Sequence, residues 1–349
     1  MSLLLGPVSS THGAPRPRRA EQSPAAVLMI RPHRFTPNLA GSRDNTFLTS
    51  PGAGATQVAR TAYAEVTAMA ERLVDRGVEV HLFEDTGTDT PDSVFPNNWI
   101  TTHDCGSVAL YPMRARNRRA ERRADIVAHL QSRYAVSGVR DYSSWERAGR
   151  YLEGTGVMVL DHRARVAYVC RSRRVSEMVL RRFCADHGYR AVVFDAVDRL
   201  GHPIYHTNVM MAVGTDLALV GLDAIASDLD RRIVREELEA AGRHVITLTQ
   251  EQIASFAGNA LEVRGSDGRI LVISARGWRS LEPAQQEAVE SWVEVLPVEI
   301  PTIEHAGGSA RCMLAGIHLP SPVLARDTPW SVASTTSNTT DSGDFRQRR

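Results

Sequence analysis

Four residues of this chain stand one fixed step apart. Glu153, His206, Asn259 and Cys312 are separated by 53 positions each time (206−153, 259−206 and 312−259 are each 53). Each stands at or just before the same kind of stretch. Glu153 precedes the apolar runs Val157–Leu160 and Val166–Val169, which flank the polar turn Asp161-His162-Arg163-Ala164-Arg165. His206 precedes Val209–Val213 and Leu217–Val220 around Gly214-Thr215-Asp216. Asn259 precedes Leu261–Val263 and Arg269–Ile273 around Ser266-Asp267-Gly268. Two β-rich runs around a polar turn read as a hairpin. A further copy lies near position 100, where Asn97-Asn98-Trp99-Ile100 leads to Val108-Ala109-Leu110-Tyr111. A unit recurring at this period is the mark of a repeat architecture. Equivalent positions in a ring of repeats face one central place, so a glutamate, a histidine and a cysteine would meet there.

The segments between the hairpins read as helix followed by strand. Thr56 to Arg76 carries Val58, Ala62, Val66, Met69 and Leu73 at helical spacing and stops at Gly77. Further helices are expected over about 174–187 and 227–241. Shorter ones are expected over 117–131, 249–257, where Thr249 and Gln252 form a capping box, and 280–295. Strands follow at Val78–Phe83, Ala191–Phe194 and Val245–Leu248. The unit is strand, polar turn, hairpin and helix, repeated about five times. Val27–Ile30 would close the ring beside a strand opening at Cys312. The fold class is therefore α/β, in one domain over residues 26–320. Residues 1–25 and 321–349 are rich in Pro, Arg and Ser or in Ser, Thr and Asp, and read as disordered tails.

The stretch His305-Ala306-Gly307-Gly308-Ser309-Ala310-Arg311-Cys312 bends the backbone sharply before one cysteine. A buried filler role is the ordinary fate of a single cysteine. The repeat argues for a nucleophile instead. Thiolate is the best protein nucleophile near neutral pH. His206 can protonate a leaving nitrogen and then take a proton from water. Glu153 can orient the imidazole and stabilise its cation. Against these roles, Glu153 could only cap a turn and His206 could only be a core histidine. Cys105, Cys170 and Cys184 read as inert, and the absence of CxxC spacing fits reduced thiols in a cytoplasm.

Other chemistries are disfavoured. All 41 basic residues are arginine, so no lysine is present for a Schiff base or a P-loop. The formal net charge of +1 gives no global pull toward nucleic acid or an anionic membrane. No apolar run approaches the eighteen or so residues needed to span a bilayer. His202 and His206 have zinc-like HxxxH spacing, but Pro203 opposes a helix between them, so no metal is expected. Gly52-Ala53-Gly54 lacks the rest of a dinucleotide fingerprint, and no cofactor is expected.

The stretches Asp92-Ser93-Val94-Phe95-Pro96-Asn97-Asn98, Leu152-Glu153-Gly154-Thr155-Gly156, His206-Thr207-Asn208 and Gly307-Gly308-Ser309-Ala310-Arg311-Cys312, in this order on this repeat, carry a resemblance. Over roughly residues 27–319 the chain resembles the penteins, the superfamily of guanidine-modifying enzymes that includes arginine deiminase, dimethylargininase and the amidinotransferases. Arg31-Pro32 and the stretch Tyr111-Pro112-Met113 to Asn117-Arg118-Arg119 look most like the arginine-deiminase-related citrulline hydrolases. The resemblance implies a five-bladed α/β-propeller. It implies catalysis by Cys312, His206 and Glu153, and substrate contacts from Asp92, Phe95, Asn97, Asn98 and Asn208. Arg118 or Arg119, and Arg174, match family arginines that receive a substrate carboxylate. A small amino acid is the implied partner, and a homo-oligomer is compatible with it.

The chain departs from the family pattern at one point. Members acting on cationic guanidinium usually bring carboxylates to the positions of Asn97-Asn98 and of Asn208, and Gly156 replaces a common aspartate. The reading that follows is a citrulline-like ureido hydrolase working through an S-carbamoyl cysteine. Its alternatives are a guanidino deiminase, a dimethylargininase, an amidinotransferase and a non-catalytic member of the fold that binds a macromolecule.

Overall fold

A computed structural model describes residues 20–38 and 45–321 of the chain. Most of both expected tails lies outside those residues. The N-terminal tail stops short of residue 25, because Gln22 and Ser23 are buried. Gln22 Nε2 donates to the carbonyls of Leu160 (3.0 Å) and Val213 (2.9 Å), and its Oε1 accepts from the His162 N–H (2.9 Å). A buried amide satisfied at both ends costs little and ties separate hairpins together.

The described strands form five sheets of three. β1 (Ala26–Pro32) runs parallel to β2 (Glu79–Asp85). β3 (Ile100–Thr102) and β4 (Ser107–Leu110) make a hairpin, and β5 (Gly138–Asp141) lies parallel to β4. The same pattern returns in β6 (Val159–Asp161), β7 (Val166–Cys170) and β8 (Arg190–Phe194). It returns again in β9 (Met211–Val213), β10 (Leu217–Val220) and β11 (His244–Thr247). The fourth copy is β12 (Leu261–Arg264), β13 (Arg269–Ser274) and β14 (Glu294–Val298). β15 (Ala315–Ile317) pairs antiparallel with β1, so the first sheet is built from both ends of the described chain.

A parallel third strand requires a crossover, and each sheet's crossover contains a helix. The helix Ala55–Val74 joins β1 to β2 and buries Val58, Ala62, Val66, Met69 and Leu73, the stripe visible in the sequence. Glu177–His187 leads to β8 and ends at Gly188 in the left-handed conformation. Asp228–Ala240 leads to β11. Thr249 and Gln252 form the expected capping box on the helix Gln250–Ala254.

Three sequence expectations are corrected. The single helix expected over 117–131 is a 3-10 turn, Arg116–Glu121, followed by a helix, Ala124–Arg133, with Arg122 and Arg123 extended between them. The break lets Arg122 Nη1 reach back to Glu146 Oε1 at 2.6 Å. The helix expected over 280–295 is confined to Pro283–Glu290, with proline at its first turn, and Glu294 onward is β14. The strand expected to open at Cys312 starts at Ala315, and Cys312 sits in the preceding turn.

Two consequences of the sheet arrangement matter for function. One narrow channel is lined by residues of β3, β6, β9, β12 and β15, one strand from each sheet. The turns that lead into those strands carry the conspicuous polar residues. Among the described residues, no helix is long and apolar enough to cross a membrane.

Candidate active site

Short helical turns precede three of the inner strands: Pro96–Asn98 before β3, Gly154–Val157 before β6 and Thr207–Val209 before β9. Glu153 and His206 are the residues that open two of these turns. Both are buried, Glu153 completely. The turn after Glu153 is possible only with glycine. Gly154 has φ of 45°, and a Cβ there would lie 2.4 Å from the Asn97 carbonyl oxygen. A Cβ on Gly156 would lie 2.5 Å from Asn98 Nδ2 and 2.8 Å from the His206 ring. A side chain at this position, such as the aspartate the resemblance implies, does not fit beside Asn98 and His206 as they are placed here.

Glu153 is fully engaged. Its Oε2 accepts from His206 Nε2 at 2.8 Å and from Arg174 Nη1 at 3.0 Å, and its Oε1 accepts from the Arg114 N–H at 3.0 Å. Burial alone would raise its pKa. The Arg174 charge and the His206 hydrogen bond outweigh burial and hold the carboxyl well below its usual range. An ionised carboxylate accepts only, so His206 carries its proton on Nε2. Nδ1 is then a free lone pair, and it makes no hydrogen bond among the described residues. Burial lowers the His206 pKa to about 4, against the raising effect of Glu153, so the imidazole rests neutral.

Cys312 is buried and held by amides. Asn208 Nδ2 and Asn259 Nδ2 both point at its Sγ, each at 3.3 Å. Asn259 Oδ1 also accepts from the Cys312 N–H at 3.3 Å, and Asn259 Nδ2 reaches the Asn208 carbonyl at 2.8 Å. Two N–H donors aimed at sulfur can accept negative charge that develops on it.

One pocket is lined by Cys312, His206, Arg174, Arg118, Asn98, Asp92 and Phe95, together with Tyr205, Gly308 and several others. Seven of the residues singled out in the sequence thus meet at one place. The outer end of the Phe95 ring packs against Gly308, where a Cβ would lie 2.7 Å from its Cζ. Asp92 Oδ2 accepts from Asn38 Nδ2 at 2.7 Å and faces Arg118 Nε at 3.4 Å, while its Oδ1 is buried with no partner among the described residues. Arg118 is buried. It is tied to Glu121 at 2.8 Å and to Asn98 Oδ1 at 2.8 Å. Asn98 Nδ2 in turn donates to Asn97 Oδ1 at 2.9 Å, and Asn97 Nδ2 has no partner. Arg174 lies over the Tyr205 ring, 4.9 Å from its centroid.

The structure separates the two neighbouring arginine candidates. Arg118 enters the pocket. Arg119 turns away to the Met113 carbonyl (3.1 Å) and Glu146 (3.2 Å) and does not line it. Glu153, Asn97 and Asn208 stand behind the lining residues. Asn259 is the residue at the sulfur to which the sequence reading assigns no role. Its place on the 53-residue step was the available signal. The expected result for Asn259→Ala is a loss of roughly 10–100-fold in kcat with KM little changed, measured by steady-state kinetics, because its amide holds both the sulfur and the N–H of the candidate nucleophile Cys312. An unchanged kcat would return Asn259 to a purely structural role.

Residues 31–319 match the family model described as N,N dimethylarginine dimethylhydrolase, eukaryotic. The chain belongs to that family. It is thereby a pentein hydrolase of the class that acts on guanidino or amidino C–N bonds. No curated protein matches the chain. Solved structures of the same fold include the N-terminal domain of ArgZ bound to substrate, an arginine dihydrolase from the ornithine–ammonia cycle in cyanobacteria. That comparison gives 16% identity and a TM-score of 0.66, covering 84% of this chain and 98% of that one. AgrE in complex with L-arginine aligns at 15% identity with a TM-score of 0.67, covering 86% of this chain and 41% of that one. A dimethylarginine dimethylaminohydrolase adduct with S-methyl-L-thiocitrulline aligns at 16% identity with a TM-score of 0.57, covering 83% and 98%. At these identities the likeness is one of fold.

Proposed function

We propose that the five sheets close as blades of a propeller around the axial channel, and that the pocket at its mouth hydrolyses the ureido group of a small amino acid, citrulline first. The observation that carries the substrate choice is the set of side chains around the sulfur. Asn208 and Asn259 contact Sγ, and Asn98, backed by Asn97, lines the pocket beside it. All are neutral amides, which offer both donors and acceptors and so complement a ureido group without neutralising a cation. A buried guanidinium would lack its carboxylate there.

Cys312 Sγ adds to the ureido carbon, and the thiol proton passes to His206 Nδ1. His206 returns that proton to the leaving nitrogen as the C–N bond breaks, releasing the amine and leaving an S-carbamoyl cysteine. Water then adds to the carbamoyl carbon, giving its proton to Nδ1. The C–S bond breaks, the thiol is restored, and carbamate leaves to decompose to carbon dioxide and ammonia. Glu153 stabilises the imidazolium in both halves. Asp92 Oδ1 is suited to the substrate ammonium, and Arg118 and Arg174 to its carboxylate. No step calls for a metal or a cofactor. The partner is a small molecule in a cytoplasmic setting.

A second reading has one observation in its favour. Asp92 Oδ1 is a buried, unpartnered carboxylate oxygen in the pocket and could receive a guanidinium instead. Ammonia release measured over citrulline, arginine, agmatine and methylarginines separates the two. Citrulline is expected to exceed arginine in kcat/KM by on the order of a hundredfold. Asn98→Asp should narrow that ratio, since Asn97 can turn its unpartnered amide to meet the new carboxylate. A wild-type preference for arginine, or a ratio indifferent to Asn98→Asp, overturns the ureido reading.

A further inference from the structure

The residue immediately before the nucleophile faces the other way. Arg311 lines the axial channel behind the site, while Cys312 lines the pocket in front of it. Its Nη1 donates to the carbonyl of Leu314, three residues on, at 2.7 Å. Its Nε and Nη2 have no hydrogen-bond partner, and no carboxylate reaches the guanidinium, among the described residues. The other arginines drawn inside the protein are paired with carboxylates: Arg118 with Glu121, Arg174 with Glu153 and Arg243 with Asp161. Arg311 is half-buried where those three are buried, but it has no counter-charge, and the surrounding channel walls lower its pKa to about 10.

The surroundings suit a small anion and no larger charged group. The channel is narrow and is walled by Ile100, Val159, Leu160, Met211 and Leu261, while Gln22, Thr101, Thr102, Thr155, His162 and His318 add neutral polar groups to its lining. His162 and His318 stack at 3.8 Å beside it, and burial keeps both imidazoles neutral, that of His318 at about 4. They add no positive charge, so the single guanidinium sets the stoichiometry at one monovalent ion.

We propose that the axial channel holds one small monovalent anion, of chloride size, on the free Nε and Nη2 donors of Arg311, and that its occupancy tunes the reactivity of Cys312 through the intervening peptide. Unoccupied, the guanidinium lies next in sequence to the sulfur and favours negative charge there. Occupied, that charge is neutralised. The site does not depend on which substrate the pocket takes.

Bromide, a chloride surrogate with anomalous scattering, tests the location directly. Crystals of the wild-type protein grown in bromide are expected to show one anomalous peak in the channel at hydrogen-bond distance from Arg311 Nε and Nη2. In solution, alkylation of Cys312 by iodoacetamide should slow by at least about threefold as chloride replaces gluconate at constant ionic strength. That response should vanish in Arg311→Gln. No bromide at Arg311 under saturating conditions, or bromide found only beside Arg118 and Arg174 in the pocket, overturns the proposal. So does an alkylation rate in Arg311→Gln that still responds to chloride. The crystal experiment uses the unaltered chain and remains decisive if Arg311→Gln does not fold.

Discussion

Cys312→Ala is expected to lower turnover by about 10⁴-fold or more while leaving the thermal midpoint nearly unchanged. The activity loss follows from the covalent step, for which no other thiol is placed. Cys170 is buried in a sheet, where burial pushes its thiol up to about 12, and Cys184 on the helix Glu177–His187 is pushed up to about 11. Neither is a thiolate near neutral pH, and neither lines the pocket. The small stability change follows from the contacts. Sulfur meets two amide donors at 3.3 Å, and Asn259 keeps its 2.8 Å bond to the Asn208 carbonyl when sulfur is gone. Cys184→Ala should retain full activity. Strong loss in Cys184→Ala without unfolding, or retained activity in Cys312→Ala, would identify a different nucleophile.

Glu153→Gln is expected to cost about 10³-fold or more in kcat and also to weaken the fold by about 1–3 kcal/mol. The two effects have separate causes. Catalysis loses the carboxylate that stabilises the His206 cation. Stability suffers because Arg174, which donates to Glu153 at 3.0 Å, exchanges a buried charged acceptor for a neutral amide oxygen. Urea unfolding and steady-state kinetics distinguish them. The pH dependence carries the same signature. The folded pKa of His206, about 4, lies below its unfolded value, so the unfolded chain binds more protons between roughly pH 6.5 and 4. Stability therefore falls as pH drops through that window. Glu153, with its folded pKa depressed, adds to the loss below the ordinary carboxylate range. The acid limb of kcat/KM should lie well below pH 6, since the free enzyme already holds His206 neutral. An acid limb near 6.5 would mean that burial is not controlling this histidine.

Much of the fold was legible because hairpins and amphipathic helices write their periods into the chain. The stripe Val58, Ala62, Val66, Met69 and Leu73 marks the helix Ala55–Val74 without ambiguity. The 3-10 turn at Arg116–Glu121 was not legible, since a buried Arg118–Glu121 pair has the same spacing as an exposed helical one. The candidate catalytic residues stand on a step of 53 positions, but equal spacing is not equal geometry. Cys312 stands three residues before β15, as Asn208 does before β9 (315−312 and 211−208), whereas His206 stands five before β9. Turn lengths differ among the repeats, so the count brings these residues to one place without making their positions equivalent. The choice between Arg118 and Arg119 was illegible for a related reason. Adjacent residues in a turn point in different directions, and only the fold decides which one enters the pocket. The steric cause of Gly156 was also hidden, because the groups that exclude a side chain there, Asn98 and His206, are distant in sequence.

Attack of Cys312 on a neutral ureido carbon would leave a carbamoyl group on its sulfur. Wild-type protein mixed with citrulline, quenched in acid within the first turnover and digested for mass spectrometry tests it most directly. The account predicts the mass gain of one carbamoyl group on the peptide carrying Cys312, absent from Cys312→Ala and little populated with arginine. An amidino adduct formed readily from arginine, with none from citrulline, would contradict it, as would a carbamoyl group on any other residue.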